Sequence, residues 1–247
     1  MPKRAQYWVL FIVVVTLVFA GPAYAQDVSI TLDNDGSLAT RSIQLFVLIT
    51  LLSIVPGLAI MITCFPFMVT VLSILRQGIG LQQSPPNMLI VSLALFLTYF
   101  VMEPVLSAAY VNGISPLLEG SVDVEEAFVQ TMEPLRGFMA NRIDPTTFAD
   151  MLSIRTEVAE DTDIVSAPLS ILVPSFMLSE LERAFQVGFL VFLPFLIIDL
   201  VVAAVLMSMG MMMVPPAIVS LPFKLAFFVV ADGWSLVATS LVRSYAF

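Results

Sequence analysis

The chain has 247 residues, of which 59% are hydrophobic and 12% are charged, and its formal net charge is −9. A soluble domain carries about 25% charged residues, so lipid or partner subunits must cover much of this chain. The acidic balance argues against nucleic-acid binding, which needs a basic surface. There is no histidine, and Cys64 is the only cysteine. This excludes an intramolecular disulfide and a cysteine–histidine metal cluster, and we expect no cofactor.

The first 25 residues have the pattern of a secretory signal peptide. Lys3-Arg4 supplies a positive start, residues 8–19 form a short apolar core, and Ala23 and Ala25 flank a small-x-small cleavage site. We predict cleavage after Ala25; the alternative is a first transmembrane helix that stays uncleaved. Residues 26–42 are polar and are predicted to be a flexible periplasmic N-terminus.

Long apolar segments follow, and their length is typical of membrane-spanning helices. The first has no charged residue, but Pro56-Gly57 and Pro66 predict that it is bent or broken. A cleaved signal peptide places the mature N-terminus outside the cytoplasm, and four spans return the C-terminus to the same side. The four segments cover residues 43–75, 88–110, 185–213 and 217–230.

An acidic region separates these segments into two hydrophobic hairpins, residues 43–111 and residues 166–247. Residues 112–165 hold eleven acidic residues against three arginines. Their apolar spacing predicts short amphipathic helices in the periplasm. The fold class is therefore all-α, with about four long hydrophobic helices and a smaller periplasmic helical segment.

Two charged residues lie inside the apolar segments of the second hairpin. Asp199 has apolar neighbours on both sides, and Lys224 is the nearest basic residue in sequence; Glu180 and Glu182 are other candidate partners for Lys224. A charge in lipid costs about 2.5–3.5 kcal/mol, so Asp199 must face protein or water. A proton or ion path and a structural ion pair are both open interpretations, and we favour the ion pair because no histidine or second deep acid completes a relay.

A methionine cluster precedes Pro215-Pro216 and includes Met211, Met212 and Met213. Methionine is flexible and apolar and adapts to varied surfaces, and the double proline ends the helix. Irregular backbone at membrane depth must be buried in protein or line a cavity. A deformable seal around a pore and simple filling of a core are equally compatible with this pattern.

The sequence contains no serine-hydrolase elbow, phosphate-binding loop or metal-binding spacing, so we do not expect an enzyme. A small secondary transporter or ion channel that uses Asp199 is a first alternative function. A membrane enzyme is a second alternative, which the missing nucleophile–base pairs disfavour.

Several stretches together resemble the FliP family of flagellar type III secretion, over about residues 43–240. The longest is Pro194-Phe195-Leu196-Ile197-Ile198-Asp199-Leu200, continuing through Met209-Gly210-Met211-Met212-Met213-Val214-Pro215-Pro216. Further matching stretches are Leu72-Ser73-Ile74-Leu75-Arg76-Gln77, Gln82-Gln83-Ser84-Pro85-Pro86-Asn87, Ser179-Glu180-Leu181, Leu221-Pro222-Phe223-Lys224-Leu225 and Asp232-Gly233-Trp234.

The resemblance implies a subunit of the export gate in the bacterial inner membrane, at the flagellar basal body. Family members form a ring of five copies together with FliQ-type and FliR-type subunits. FlhA-type and FlhB-type proteins deliver unfolded flagellar proteins to this channel. The resemblance also implies that the glutamate and lysine matching Glu180 and Lys224 meet between neighbouring subunits. It leaves open whether the segments that read as transmembrane lie in lipid or are buried against other subunits instead.

One stretch departs from the family pattern. The family usually has Thr-Ser-Phe-x-Arg before the end of its first hairpin, whereas this chain has Cys64 in place of the serine and Phe67 in place of the arginine. A polar contact made there in relatives is therefore not carried over to this chain.

Overall fold

The computed structural model describes residues 38–80, 85–155, 162–211 and 213–245, and every regular element in these ranges is helical. The predicted all-α class is confirmed. The chain divides into two compact units, residues 1–51 and 52–247. The predicted cleavage site at Ala23 and Ala25 lies outside the described residues. The helices are α1 (Leu38–Met61), α2 (Phe65–Ile79), α3 (Asn87–Ala109), a π-helical turn (Tyr110–Ile114), α4 (Ser115–Leu118), α5 (Val124–Ala140), α6 (Pro145–Ser153), α7 (Leu169–Ser208), α8 (Pro216–Val230) and α9 (Gly233–Arg243).

Among the described residues, three helical stretches are long and apolar enough to cross a membrane: Ser42–Met61, Asn87–Leu118 and Leu169–Ser208. The helices α8 and α9 are bent by 60° at a short break and together form a fourth candidate span. The four spans predicted from the sequence agree with this count when the bent pair is taken as one span. The fourth includes α9, which the sequence pattern treated only as a tail.

The first apolar segment is broken, as its prolines predict, but at one place only. Pro56 lies inside α1 and does not end it. The helix stops before Cys64, and α2 begins at Phe65 with Pro66 in its first turn. Proline is tolerated at that position because the amide there has no helical acceptor.

The core of the second unit is built around α2. Its residues Met68, Val71, Leu72 and Leu75 are fully buried, at the helical spacing of one face. The main partner is α7, and two glycines allow the helices to approach closely. A Cβ atom on Gly78 would lie 2.8 Å from the Phe195 ring, and one on Gly188 would lie 2.4 Å from Ile74. A larger side chain at either glycine would push α2 and α7 apart.

The acidic region forms short amphipathic helices, as predicted. The Asp123 carboxylate accepts a hydrogen bond from the Glu126 amide at 2.8 Å and caps α5. Asp144 caps α6, where its carboxylate accepts from the amides of Thr146 and Thr147 at 3.1 and 3.0 Å. These caps satisfy amides that have no partner within the helix.

Candidate functional site

The charged residues of the second hairpin form an ion pair that joins three helices. The Lys224 ammonium of α8 donates to Asp199 Oδ2 of α7 at 2.6 Å. The buried Ser220 hydroxyl of α8 donates to Asp199 Oδ1 at 2.5 Å. Lys224 also donates to the Gly78 carbonyl of α2 at 3.1 Å. We call this group, Asp199, Ser220, Lys224 and the Gly78 carbonyl, the polar brace.

Lys224 also caps the C-terminus of α2. The last carbonyls of a helix have no helical partner and carry partial negative charge, so an ammonium is favourable there. Gly78 lies in the last turn of α2, and Gly80, in the left-handed conformation with φ of 86°, ends the helix. The Lys224 side chain is buried, whereas the Asp199 side chain remains 34% exposed. The brace is therefore shielded from water where it meets α2 and is accessible to water at the Asp199 carboxylate.

Glu180 belongs to a second and more deeply buried cluster. Its carboxylate is fully buried and accepts from Arg142 Nε at 2.8 Å and from the Tyr245 hydroxyl. Arg142 also donates to the Ser244 carbonyl at 3.0 Å. Burial, and then the neighbouring Glu180 charge, raise the pKa of the Tyr245 hydroxyl far above its ordinary range. We call Arg142, Glu180 and Tyr245 the sealed cluster.

The position of the family's arginine is filled by an apolar ring. Phe67 is buried, and its ring meets that of Tyr245 edge to face, with centroids 5.5 Å apart. The Arg142 guanidinium carbon lies 5.9 Å from the centre of the Phe67 ring and 3.9 Å from that of Tyr245. Aromatic faces attract a guanidinium, so Phe67 supports the cation that neutralises Glu180. Cys64 is buried nearby, and desolvation raises the pKa of its thiol to about 12.

The pairing within this chain differs from the expected meeting of Glu180 with Lys224. Both oxygens of Glu180 are occupied by the sealed cluster, and Lys224 is occupied by Asp199. The reason is tertiary: Arg142 lies 38 positions before Glu180 in sequence, yet the chain folds it onto α7. A Glu180–Lys224 contact between neighbouring subunits stays a prediction. Sequence reasoning missed four participants, Arg142, Tyr245, Ser220 and the Gly78 carbonyl, because nothing in the local pattern marks them.

The methionine cluster lies where α7 gives way to α8. The helix ends at Ser208, Gly210 adopts the left-handed conformation with φ of 76°, and α8 starts at Pro216. Residues 209–215 are here named the methionine loop. Met211 is exposed and Met213 is 96% exposed, whereas Met212 lies outside the described residues.

An apolar groove of about 530 Å³ runs beside this loop, between α7 and α8. Its lining includes Val201, Val205, Met209 and Met211, and all of its lining side chains are apolar. Within the described residues no group of three acidic or cysteine side chains is arranged to hold a metal ion. The site thus combines the exposed, apolar methionine loop with the polar brace.

Comparisons with known proteins agree with the resemblance. The sequence profile of the FliP family matches residues 48–241. The chain is 46% identical over 244 residues to the flagellar biosynthetic protein FliP of Caulobacter vibrioides, covering 98% of this chain and 91% of the relative. It is 46% identical to the FliP protein of Agrobacterium fabrum, covering 96% and 98% of the two chains, and 40% identical to that of Bacillus subtilis, covering 88% and 98%. The profile match spans well over half of the chain, and the chain belongs to the FliP family.

Proposed function

We propose that the chain is one subunit of the flagellar type III export gate in the bacterial inner membrane. Several copies, five by family resemblance, form a ring with FliQ-type and FliR-type subunits at the flagellar basal body. The ring is the channel through which unfolded flagellar proteins, supplied by FlhA-type and FlhB-type proteins, cross the membrane. The names of the relatives, which are flagellar biosynthetic proteins, support the flagellar assignment.

The exposed apolar surface of the long helices carries the proposal. In α1, residues 52–61 are all exposed. Phe96 and Phe100 of α3 and Phe185 and Phe189 of α7 are exposed as well. A monomeric soluble protein rarely shows apolar patches of more than a few hundred Å². This surface supports a chain that is covered by lipid and by further subunits.

The methionine loop supplies the seal of the channel in this proposal. Each copy contributes Met211, Met212 and Met213 to a constriction around the pore. Apolar constrictions of this kind exclude ions by dewetting, and thioether side chains adapt to many substrates. The exposure of Met211 and Met213 supports this role, because side chains that only fill a core are buried.

The native mass of the complex tests the proposal. The chain is extracted in mild detergent together with its neighbouring subunits, and the mass is compared with that of the single chain. We expect several copies per particle, with the FliQ-type and FliR-type subunits present. Recovery of single chains only, from cells that assemble flagella, contradicts the proposal.

A small transporter or ion channel that uses Asp199 is the second candidate, because this carboxylate is partly exposed. Ion binding by purified single chains separates the two functions, since an export-gate subunit needs its ring. Both carboxylate oxygens of Asp199 already accept hydrogen bonds, one from Ser220 and one from Lys224. That arrangement favours a structural role for the charge.

A further inference from the structure

The described methionine side chains of the methionine loop are not packed into a core. Met209, Met211 and Met213 are all exposed. The described backbone hydrogen bonds of the loop are local ones, such as those from the Gly210 amide to the Met207 carbonyl and from the Val214 amide to the Met211 carbonyl. The place of the loop is therefore set by the two helices that carry it, α7 before it and α8 after it.

The polar brace links those two helices behind the loop. Asp199 lies in the last third of α7, whereas Ser220 lies in the first half of α8 and Lys224 lies just past its middle. One carboxylate thus receives two donors from α8, while the Lys224 ammonium reaches across to the Gly78 carbonyl of α2. The surrounding α7–α8 groove is apolar and gives no comparable directional contact.

We propose that Asp199, Ser220 and Lys224 are positioning residues that fix the register of α8 against α7 and so hold the methionine loop in its sealing place. This inference rests on the proposed channel function. A shift of α8 by one residue moves each group about 1.5 Å along the axis and rotates it about 100° around it. Such a shift separates Lys224 from Asp199 and leaves a buried ammonium and the Gly78 carbonyl without partners. The brace therefore permits one register, whereas apolar packing alone tolerates several.

Distances within the chain test the brace directly. Spin labels are placed on cysteines that replace Met213 and Ile154, both of which are exposed. Cys64 is fully buried, so it does not compete for the label. The labelled chain is assembled with an excess of unlabelled chain in the full complex, so that distances within one chain dominate. Asp199→Ala and Ser220→Ala are compared with the matched control Ser208→Ala, whose hydroxyl donates to the Val205 carbonyl of its own helix.

The expected result is a graded one. Asp199→Ala, which removes both bonds from α8, broadens the distance distribution most. Ser220→Ala keeps the ion pair and raises the population of displaced loops about fivefold, as expected for one lost hydrogen bond. Ser208→Ala leaves the distribution of the parent. If Asp199→Ala prevents assembly, Ser220→Ala decides the test on its own.

An unchanged distribution in an assembled Ser220→Ala complex overturns the proposal, as does equal broadening in Ser208→Ala. Ion leakage through the same complexes separates this outcome from a failure of the channel function. Broadened distances with no leakage, even when the methionines are changed to alanine, support the brace and reject the seal. Broadened distances with raised leakage support both.

Discussion

The sealed cluster and the polar brace both neutralise a carboxylate on α7, but they differ in their access to water. In the sealed cluster, the Glu180 side chain is fully buried and the Arg142 side chain is 9% exposed. In the polar brace, Lys224 is similarly buried, yet the Asp199 side chain is 34% exposed. When its cationic partner is removed, a carboxylate that water can reach destabilises the fold less than a fully buried carboxylate does. Removal of a partner should therefore cost the fold more free energy in the sealed cluster than in the polar brace.

Removal of Arg142 is expected to give the largest loss of stability, because it disrupts the sealed cluster. Arg142→Ala leaves the Glu180 charge buried without a cation, and we expect a loss of about 3–5 kcal/mol in the free energy of unfolding. Denaturant titration in mild detergent measures this loss, with Arg243→Ala as the exposed arginine control. The double variant Arg142→Met with Glu180→Leu should recover most of the loss, because no charge stays buried. A single Arg142→Ala variant as stable as the control contradicts the sealed cluster.

Removal of Lys224 tests the more exposed of the two ion pairs, the one in the polar brace. Lys224→Met leaves the Gly78 carbonyl unsatisfied, but water reaches Asp199, so we expect a smaller loss of about 1–3 kcal/mol. The exchange Asp199→Lys with Lys224→Asp should restore part of it, as measured by the same titration. Restoration of the assembly of the proposed ring by the exchange Glu180→Lys with Lys224→Glu instead would show that the pairs change partners between neighbouring subunits. A loss equal to that of Arg142→Ala would remove the distinction between the two pairs.

The methionine loop separates stability from function. Changing Met211, Met212 and Met213 to alanine widens the proposed constriction without adding charge, so leakage of ions and small molecules should rise while export falls less. The free energy of unfolding should change little, because Met211 and Met213 are exposed. Membrane permeability is measured in cells that overproduce the assembled complex, parent against variant. Unchanged permeability in an assembled variant means that these methionines do not seal the channel.

The Asp144 cap is expected to give the smallest effect. Hydrogen bonds from the Thr146 hydroxyl and then the Thr147 amide lower the pKa of the Asp144 carboxyl. A lowered folded-state pKa stabilises the fold above the ordinary aspartate range and loses that contribution as the pH falls through the folded-state value. Melting curves of the parent and of Asp144→Asn, which keeps a capping oxygen, should therefore converge in acid. Parallel curves across the acid range rule out this contribution.

Much of the fold could be predicted from the sequence because its signals are local. The long apolar segments and the break before Pro66 follow from hydropathy and from proline chemistry. The bounds of α7 do not: it begins at Leu169, before the predicted start at residue 185, and ends at Ser208, before the double proline predicted to end it. The amphipathic helices of the acidic region follow from spacing. The pattern did not predict α9 as a helix, because its moderate apolarity resembles that of a tail.

The sequence by itself determined the all-α class, the membrane-suited helices, the family and the presence of deep charges that need partners. Only the tertiary structure decided which partners those charges have. Glu180 takes Arg142 and Tyr245, which lie far away along the chain, while Asp199 takes Ser220 and Lys224. The physical reason is that the desolvation cost of a charge depends on the residue and its burial, whereas the pairing that offsets it depends on distances between helices, which no spacing within one segment encodes.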